Sequence, residues 1–117
     1  MLSWPTSVRI YVSARPADMR RGFDGLAALT TSVLGQDPLS GHLFVFRNRR
    51  GDRLKVLYWD KDGLALWYKR LEEGTFKLPR IEADATSAEL RASELAMLLD
   101  GIDLKSVKRV KRYKRPS

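Results

Sequence analysis

At 117 residues, 44% of them hydrophobic and 31% charged, the chain has the size and balance of one soluble domain. It is able to bury roughly two-thirds of its unfolded surface without covalent staples. The absence of cysteine excludes disulfides, thiolate metal sites and cysteine nucleophiles. The formal net charge of +8 is uneven: residues 1–55 carry nine Lys or Arg against four Asp or Glu, residues 56–103 six against ten, and residues 104–117 seven against none.

A basic end of this kind adds affinity for a polyanion through counterion release, which makes DNA the expected partner; the plainer reading is a solvated end that aids solubility. No apolar run approaches the roughly 18 residues of a spanning helix, so no membrane partner is expected. Met1–Thr6, with Trp4 and Pro5, lacks a basic stretch followed by an apolar one, and a cytoplasmic location is the default expectation. The division expected is one α+β domain over 1–103 and a basic tail over 104–117.

In chain order, Val8–Val12 alternates and is β-branched, which predicts a first strand. From Asp18, Met19, Phe23, Leu26, Leu29, Val33 and Leu34 recur at helical spacing before Gly35, predicting a helix over 18–34. Gly22 and Gly25 inside it cost about 1 kcal/mol each relative to alanine, and close packing against a sheet is the expected reason. Leu43–Arg47 and Leu54–Trp59 read as two strands joined by Asn48-Arg49-Arg50-Gly51-Asp52-Arg53, a hairpin whose tip is rich in arginine. Period two puts Leu43 and Val45 on one face and Phe44 and Phe46 on the other, so both faces are apolar.

After the Asp60–Gly63 break, Leu64, Trp67, Tyr68 and Leu71 fall at i, i+3, i+4 and i+7, predicting a short helix over 63–73. Thr75–Leu78 is a possible last strand before Pro79, and Ile81–Ala85 is connecting chain. Thr86-Ser87-Ala88-Glu89 has the form of a capping box, and Leu90, Leu95, Leu98 and Leu99 follow before Gly101, predicting a third helix over 87–100. The fold class expected is α+β: a small, mostly antiparallel sheet with a central hairpin, about three helices and the tail. Within the tail, Val107-Lys108-Arg109, Val110-Lys111-Arg112 and Tyr113-Lys114-Arg115 form a repeat, compatible with a striped helix or an unfolded arm.

Catalytic chemistry finds little support. The single histidine, His42, has no cysteine or second histidine to share a metal, and reads as a surface or strand-edge residue. Asp60 and Asp62 are the best carboxylate pair for a magnesium ion, but Asp-x-Asp-Gly before a helix also describes a turn and an N-cap. No metal, cofactor or catalytic residue is expected. Phe44, Phe46, Tyr58, Trp59, Trp67 and Tyr68 could stack on bases, yet most belong in a core.

The affirmative signal is arginine. Arg47, Arg49, Arg50, Arg53 and Lys55 gather on one β-ribbon, and guanidinium groups suit bidentate contacts to phosphate or guanine. The competing reading pairs them with acidic groups from 56–103. Arg20 and Arg21 at a helix start form a weaker patch, and Lys108, Arg109, Lys111, Arg112, Lys114 and Arg115 supply the tail.

These residues also carry a family resemblance. Met19-Arg20-Arg21-Gly22-Phe23-Asp24-Gly25-Leu26, the block from Asp37 through His42 to Arg53, Lys55–Asp60, and Gly63 through Tyr68 to Phe76 resemble the accessory proteins, called TnpB or second open reading frame products, of the insertion sequence 66 family. The Leu98–Leu104 stretch looks similar too. The resemblance, which spans most of the chain to Pro79, implies a protein encoded beside a larger, separate transposase and needed for efficient transposition. It does not extend to the RNA-guided nuclease that shares the TnpB name, nor to the tripeptide repeat. The reading preferred on residues and resemblance together is a non-catalytic transposition accessory that binds element-end DNA, or the transposase on DNA. The alternatives are an adaptor that holds the transposase and hardly touches DNA, and a metal-dependent nuclease using Asp60 and Asp62.

Overall fold

In the computed structural model, residues 7–103 and 108–109 are described. The elements run β1 (Ile10–Ser13), α1 (Phe23–Ser32), β2 (Leu43–Arg47), β3 (Arg53–Asp60), β4 (Gly63–Arg70), β5 (Ser87–Leu90) and α2 (Ala92–Asp100), followed by a two-residue ladder of β6 (Ile102–Asp103) and β7 (Lys108–Arg109). The first five strands form one sheet in the order β4-β3-β2-β1-β5. Only β1 and β2 pair in parallel; the other three pairs are antiparallel. A parallel pair cannot be joined by a tight turn, and here the crossover is made by α1 and its flanking loops.

The pleat sorts the side chains as the alternation in β2 predicts. Leu43 and Val45 join Ile10, Val12, Leu54, Val56 and Leu90 on one face, where Leu95 and Leu98 of α2 cover them. Phe44 and Phe46 join Leu57 on the other, beneath Leu26 of α1 and Leu34 just after it. Each fully buried Leu or Phe contributes about 1.5–3 kcal/mol relative to exposure, so both helices are held by these stripes rather than by propensity.

Five expectations are corrected. The first helix begins at Phe23, with Gly22 as its N-cap; the stretch before it is a turn in which the Arg21 N–H donates to the Asp18 carbonyl at 3.1 Å. Sheet packing does not explain the glycines: nothing lies near Gly22, and a Cβ on Gly25 would meet the Arg21 Cβ at 3.0 Å. The expected helix over 63–73 is strand β4. A two-residue turn, with Lys61 at φ 62°, returns the chain alongside β3 in an eight-residue ladder from Asp60↔Gly63 to Arg53↔Arg70. Those cross-strand bonds outweigh a helical spacing that arises from a few apolar residues.

Thr75–Leu78 is not a strand. The chain reverses after β4 and docks on the hairpin tip, where the Phe76 N–H donates to the Gly51 carbonyl at 2.7 Å and the Phe76 ring is fully buried. The third predicted helix divides: Ser87–Leu90 pairs with β1 as β5, and the helix starts only at Ala92. The cap lies at Arg91 and Glu94 and makes only the returning bond of a capping box, the Arg91 N–H donating to Glu94 Oε1 at 3.0 Å. Among the described residues two helices therefore stand where about three were expected. Gly101 closes α2 at φ +85°, as its place in the sequence predicts.

Candidate nucleic-acid interface

The hairpin tip is a rigid, hydrogen-bonded turn. Asn48 and Arg53 close it, the Asn48 N–H donating to the Arg53 carbonyl at 3.1 Å, and the Gly51 N–H returns to the Asn48 carbonyl at 3.1 Å. The Asn48 side chain braces it from within, its Oδ1 accepting from the Arg53 N–H at 3.0 Å and its Nδ2 donating to Asp52 Oδ1 at 2.7 Å. That amide contact, with Arg50 and Arg53 close by, holds the Asp52 carboxyl below its usual value. Gly51 has φ +80°, a backbone conformation that a side chain would strain.

Arg49 and Arg50 project from this frame, exposed, and neither has a hydrogen bond or ion pair among the described residues. Beside them the chain leaving β1 runs past the end of β2, and the Ala17 N–H donates to the Arg47 carbonyl at 2.9 Å. Between the two segments lies an open cleft of about 560 Å³ lined by Pro16–Arg20 on one side and Asn48–Arg50, Asp52 and Arg53 on the other. Four arginines and two aspartates thus face one concavity.

The predicted basic residues separate into different roles. Arg49, Arg50, Arg53 and Arg20 share the cleft. The Arg53 guanidinium also donates to the Tyr68 hydroxyl at 3.1 Å. Arg20 is committed to Asp18: Nη2 lies 2.6 Å from Oδ2, Nε bonds both carboxylate oxygens, and the Arg20 N–H donates to Oδ1 at 2.9 Å. These donors pull the Asp18 carboxyl from 3.8 down to about 2. Arg21 is exposed beyond the cleft.

Arg47 and Lys55 point away from it, on opposite faces of the sheet. Arg47 is half-buried and donates from Nη1 to the Phe76 carbonyl at 2.7 Å, tying the returning chain to β2; burial draws its guanidinium below the usual value. Lys55 is buried on the α1 face, where its ammonium donates to the Met19 and Arg21 carbonyls at 2.7 and 2.8 Å and stands 4.5 Å from the Tyr68 ring centre. Of the tail residues, Lys108 and Arg109 pair through the backbone with Asp103 and Ile102. Lys111, Arg112, Lys114 and Arg115 lie outside the described residues.

Asn48 and Asp52 read in sequence only as turn residues, and Asp18, across the cleft from them, carries no local signal that would have marked it. The nearness of Asp18 to the hairpin depends on the parallel β1–β2 pairing. Of the candidate stacking aromatics, Phe44 and Phe46 are core, Tyr58, Trp59 and Trp67 are half-buried, and Tyr68 is exposed. His42 sits at the start of β2 and accepts the Arg9 N–H on Nδ1 at 3.0 Å. Asp60 and Asp62 flank an exposed hairpin turn rather than a helix start, so Asp62 caps nothing, and no group of three potential metal ligands occurs among the described residues. No helix among them is long and apolar enough to cross a membrane.

Fold and cleft together define a small α+β protein that presents guanidinium groups from a braced turn over a concave surface. Among known proteins, residues 8–109 match the family described as IS66 Orf2 like protein, and the chain belongs to that family. It is 42% identical over 117 residues to the uncharacterized protein y4jC of Sinorhizobium fredii (strain NBRC 101917 / NGR234), covering 100% of this chain and 97% of that one. It is also 42% identical over 103 residues to the uncharacterized protein y4hO of the same organism, covering 88% of each. No solved structure matches the chain. Membership places the protein in the transposition of insertion sequences, in an accessory role.

Proposed function

We infer that this accessory protein acts without catalysis, by binding DNA at the element ends or in the complex with the separately encoded transposase. The observation that carries the reading is the state of Arg49 and Arg50: exposed, with no side-chain hydrogen bond or ion pair among the described residues, and carried on a turn that Asn48, Gly51 and Arg53 close by hydrogen bonds. A guanidinium held by the scaffold but not neutralised by it retains its donors for phosphate oxygens. Arg53 extends the positive wall, whereas Arg20 is neutralised by Asp18, and the basic residues of 104–117 add sequence-independent phosphate contacts. The competing expectation, a solvated turn whose arginines pair with acids from 56–103, has no support at Arg49 or Arg50 among the described residues; the adaptor reading is separated from DNA binding by the salt dependence below.

The test is equilibrium binding to duplex and single-stranded DNA across a salt series, using the intact protein and a version ending at Leu104. Affinity falling steeply with salt, with a weaker share kept by the shorter chain, supports joint contacts by hairpin and tail. No binding by either at physiological salt rejects the reading and leaves the transposase as the partner to assay.

A further inference from the structure

We propose that the protein is a two-fold dimer built by antiparallel pairing of β4 with β4 of a second copy, extending the two sheets into one of ten strands. β4 is one of the two edges of the sheet and the longer of them; eight residues long, it is bonded to β3 on one side only, and among the described residues no backbone group reaches its outer side. An edge of this length, with half-buried Leu64, Leu66 and Trp67 and exposed Tyr68, is a template for a further strand, and it lacks the prolines and bulges that usually blunt one.

The occupant follows from the strand's polarity. Its start is acidic, at the Asp60–Asp62 turn, its middle is apolar, and its end is basic, at Lys69 and Arg70. Such a strand is complementary to itself only when antiparallel, since parallel pairing sets like charges side by side. A two-fold axis perpendicular to the sheet requires a residue to face its own copy. Centring it on Leu66 sets Leu64 opposite Tyr68, the small Ala65 opposite the large Trp67, and Arg70 opposite Asp62 of the second copy. Arg70 binds its own Glu72 through Nε and Nη2, with Nη1 unbonded among the described residues.

Because that axis preserves the faces of the sheet, the two arginine clefts fall on the same side, roughly 40 Å apart by strand spacing and rise. The dimer itself does not depend on the DNA reading, and its test uses no DNA.

Sedimentation of the full chain at micromolar concentration measures the state directly. The wild type should be a dimer. Arg70→Asp alone and Asp62→Arg alone each place like charges together at both ends of the pair, and each should weaken dimerisation about tenfold. Combining them in one chain restores opposite charges and should recover the dimer, as should mixing the two single variants. Both positions are exposed, so folding is retained. Leu66→Lys, at the axis, should abolish association. A wild-type monomer at 100-fold higher concentration overturns the proposal, and so does a dimer indifferent to both single variants or one that the double variant fails to restore.

Discussion

Lys55 Nζ donates to the carbonyl oxygen of Met19 at 2.7 Å, from a side chain only 6% exposed and on the sheet face that α1 covers. A second bond to Arg21 makes this lysine the tie between β3 and the turn that leads into α1. The residue that reads in sequence as part of a phosphate-binding cluster is thereby a structural cation.

Lys55→Met keeps the aliphatic stem and removes the ammonium, leaving two carbonyls short of a donor. The expected cost is about 2–3 kcal/mol in urea unfolding. A change below about 0.5 kcal/mol would mean that water replaces the ammonium at both carbonyls.

Replacing Arg49 and Arg50 together by alanine should leave urea stability within about 0.5 kcal/mol of the parent, since both are exposed and neither side chain has a hydrogen bond or ion pair among the described residues, Arg50 meeting Asp52 only through solvent-screened charge. The plot of log affinity for duplex DNA against log salt should lose about two from its slope. An unchanged slope would remove the hairpin tip from the interface.

Gly51→Ala acts on the frame rather than the charge. At φ +80° a Cβ is strained, and it would stand 3.1 Å from Arg47 Nη1 and 3.3 Å from Thr75 Cβ. Relief requires moving the Arg47 contact to Phe76, so stability should fall by about 1–2 kcal/mol and DNA affinity with it. An alanine variant as stable as the parent would show that the turn relaxes freely.

The Asp18 carboxyl should titrate near 2 by carbon-detected NMR, against 3.8 for the unperturbed group. The folded state favours its ionised form, so the Arg20 link is intact above about pH 3.8 and is lost as pH falls through about 2. Both groups are solvent-facing, and screening keeps the effect on global stability small. Arg20→Gln should bring the midpoint back towards 3.8; a midpoint already there in the parent would contradict the bidentate contact.

The central hairpin was legible because its signals are local. Arg47 and Arg53 flank a segment whose Asn48 and Gly51 are the residue types that a braced turn requires, and the alternation of Leu43, Phe44, Val45 and Phe46 assigns each to a face without knowledge of what covers it. Gly101 after α2 belongs to the same class, since a left-handed residue is needed wherever a helix ends in this way.

Sequence by itself thus determined the two apolar faces, the arginine-bearing turn, the basic end and the family. Tertiary structure alone decided the rest. Leu64–Leu71 fits either period, and it is a strand because β3 offers an unpaired edge across a two-residue turn. Ser87–Leu90 is a strand because β1 has a free edge beside it, which displaces the start of α2 to Ala92. The cleft exists because parallel pairing of β1 with β2 carries Ala17 and Arg20 to the hairpin tip. Hydrogen bonds between segments distant in sequence make these choices, and no local pattern encodes which segment will be the partner.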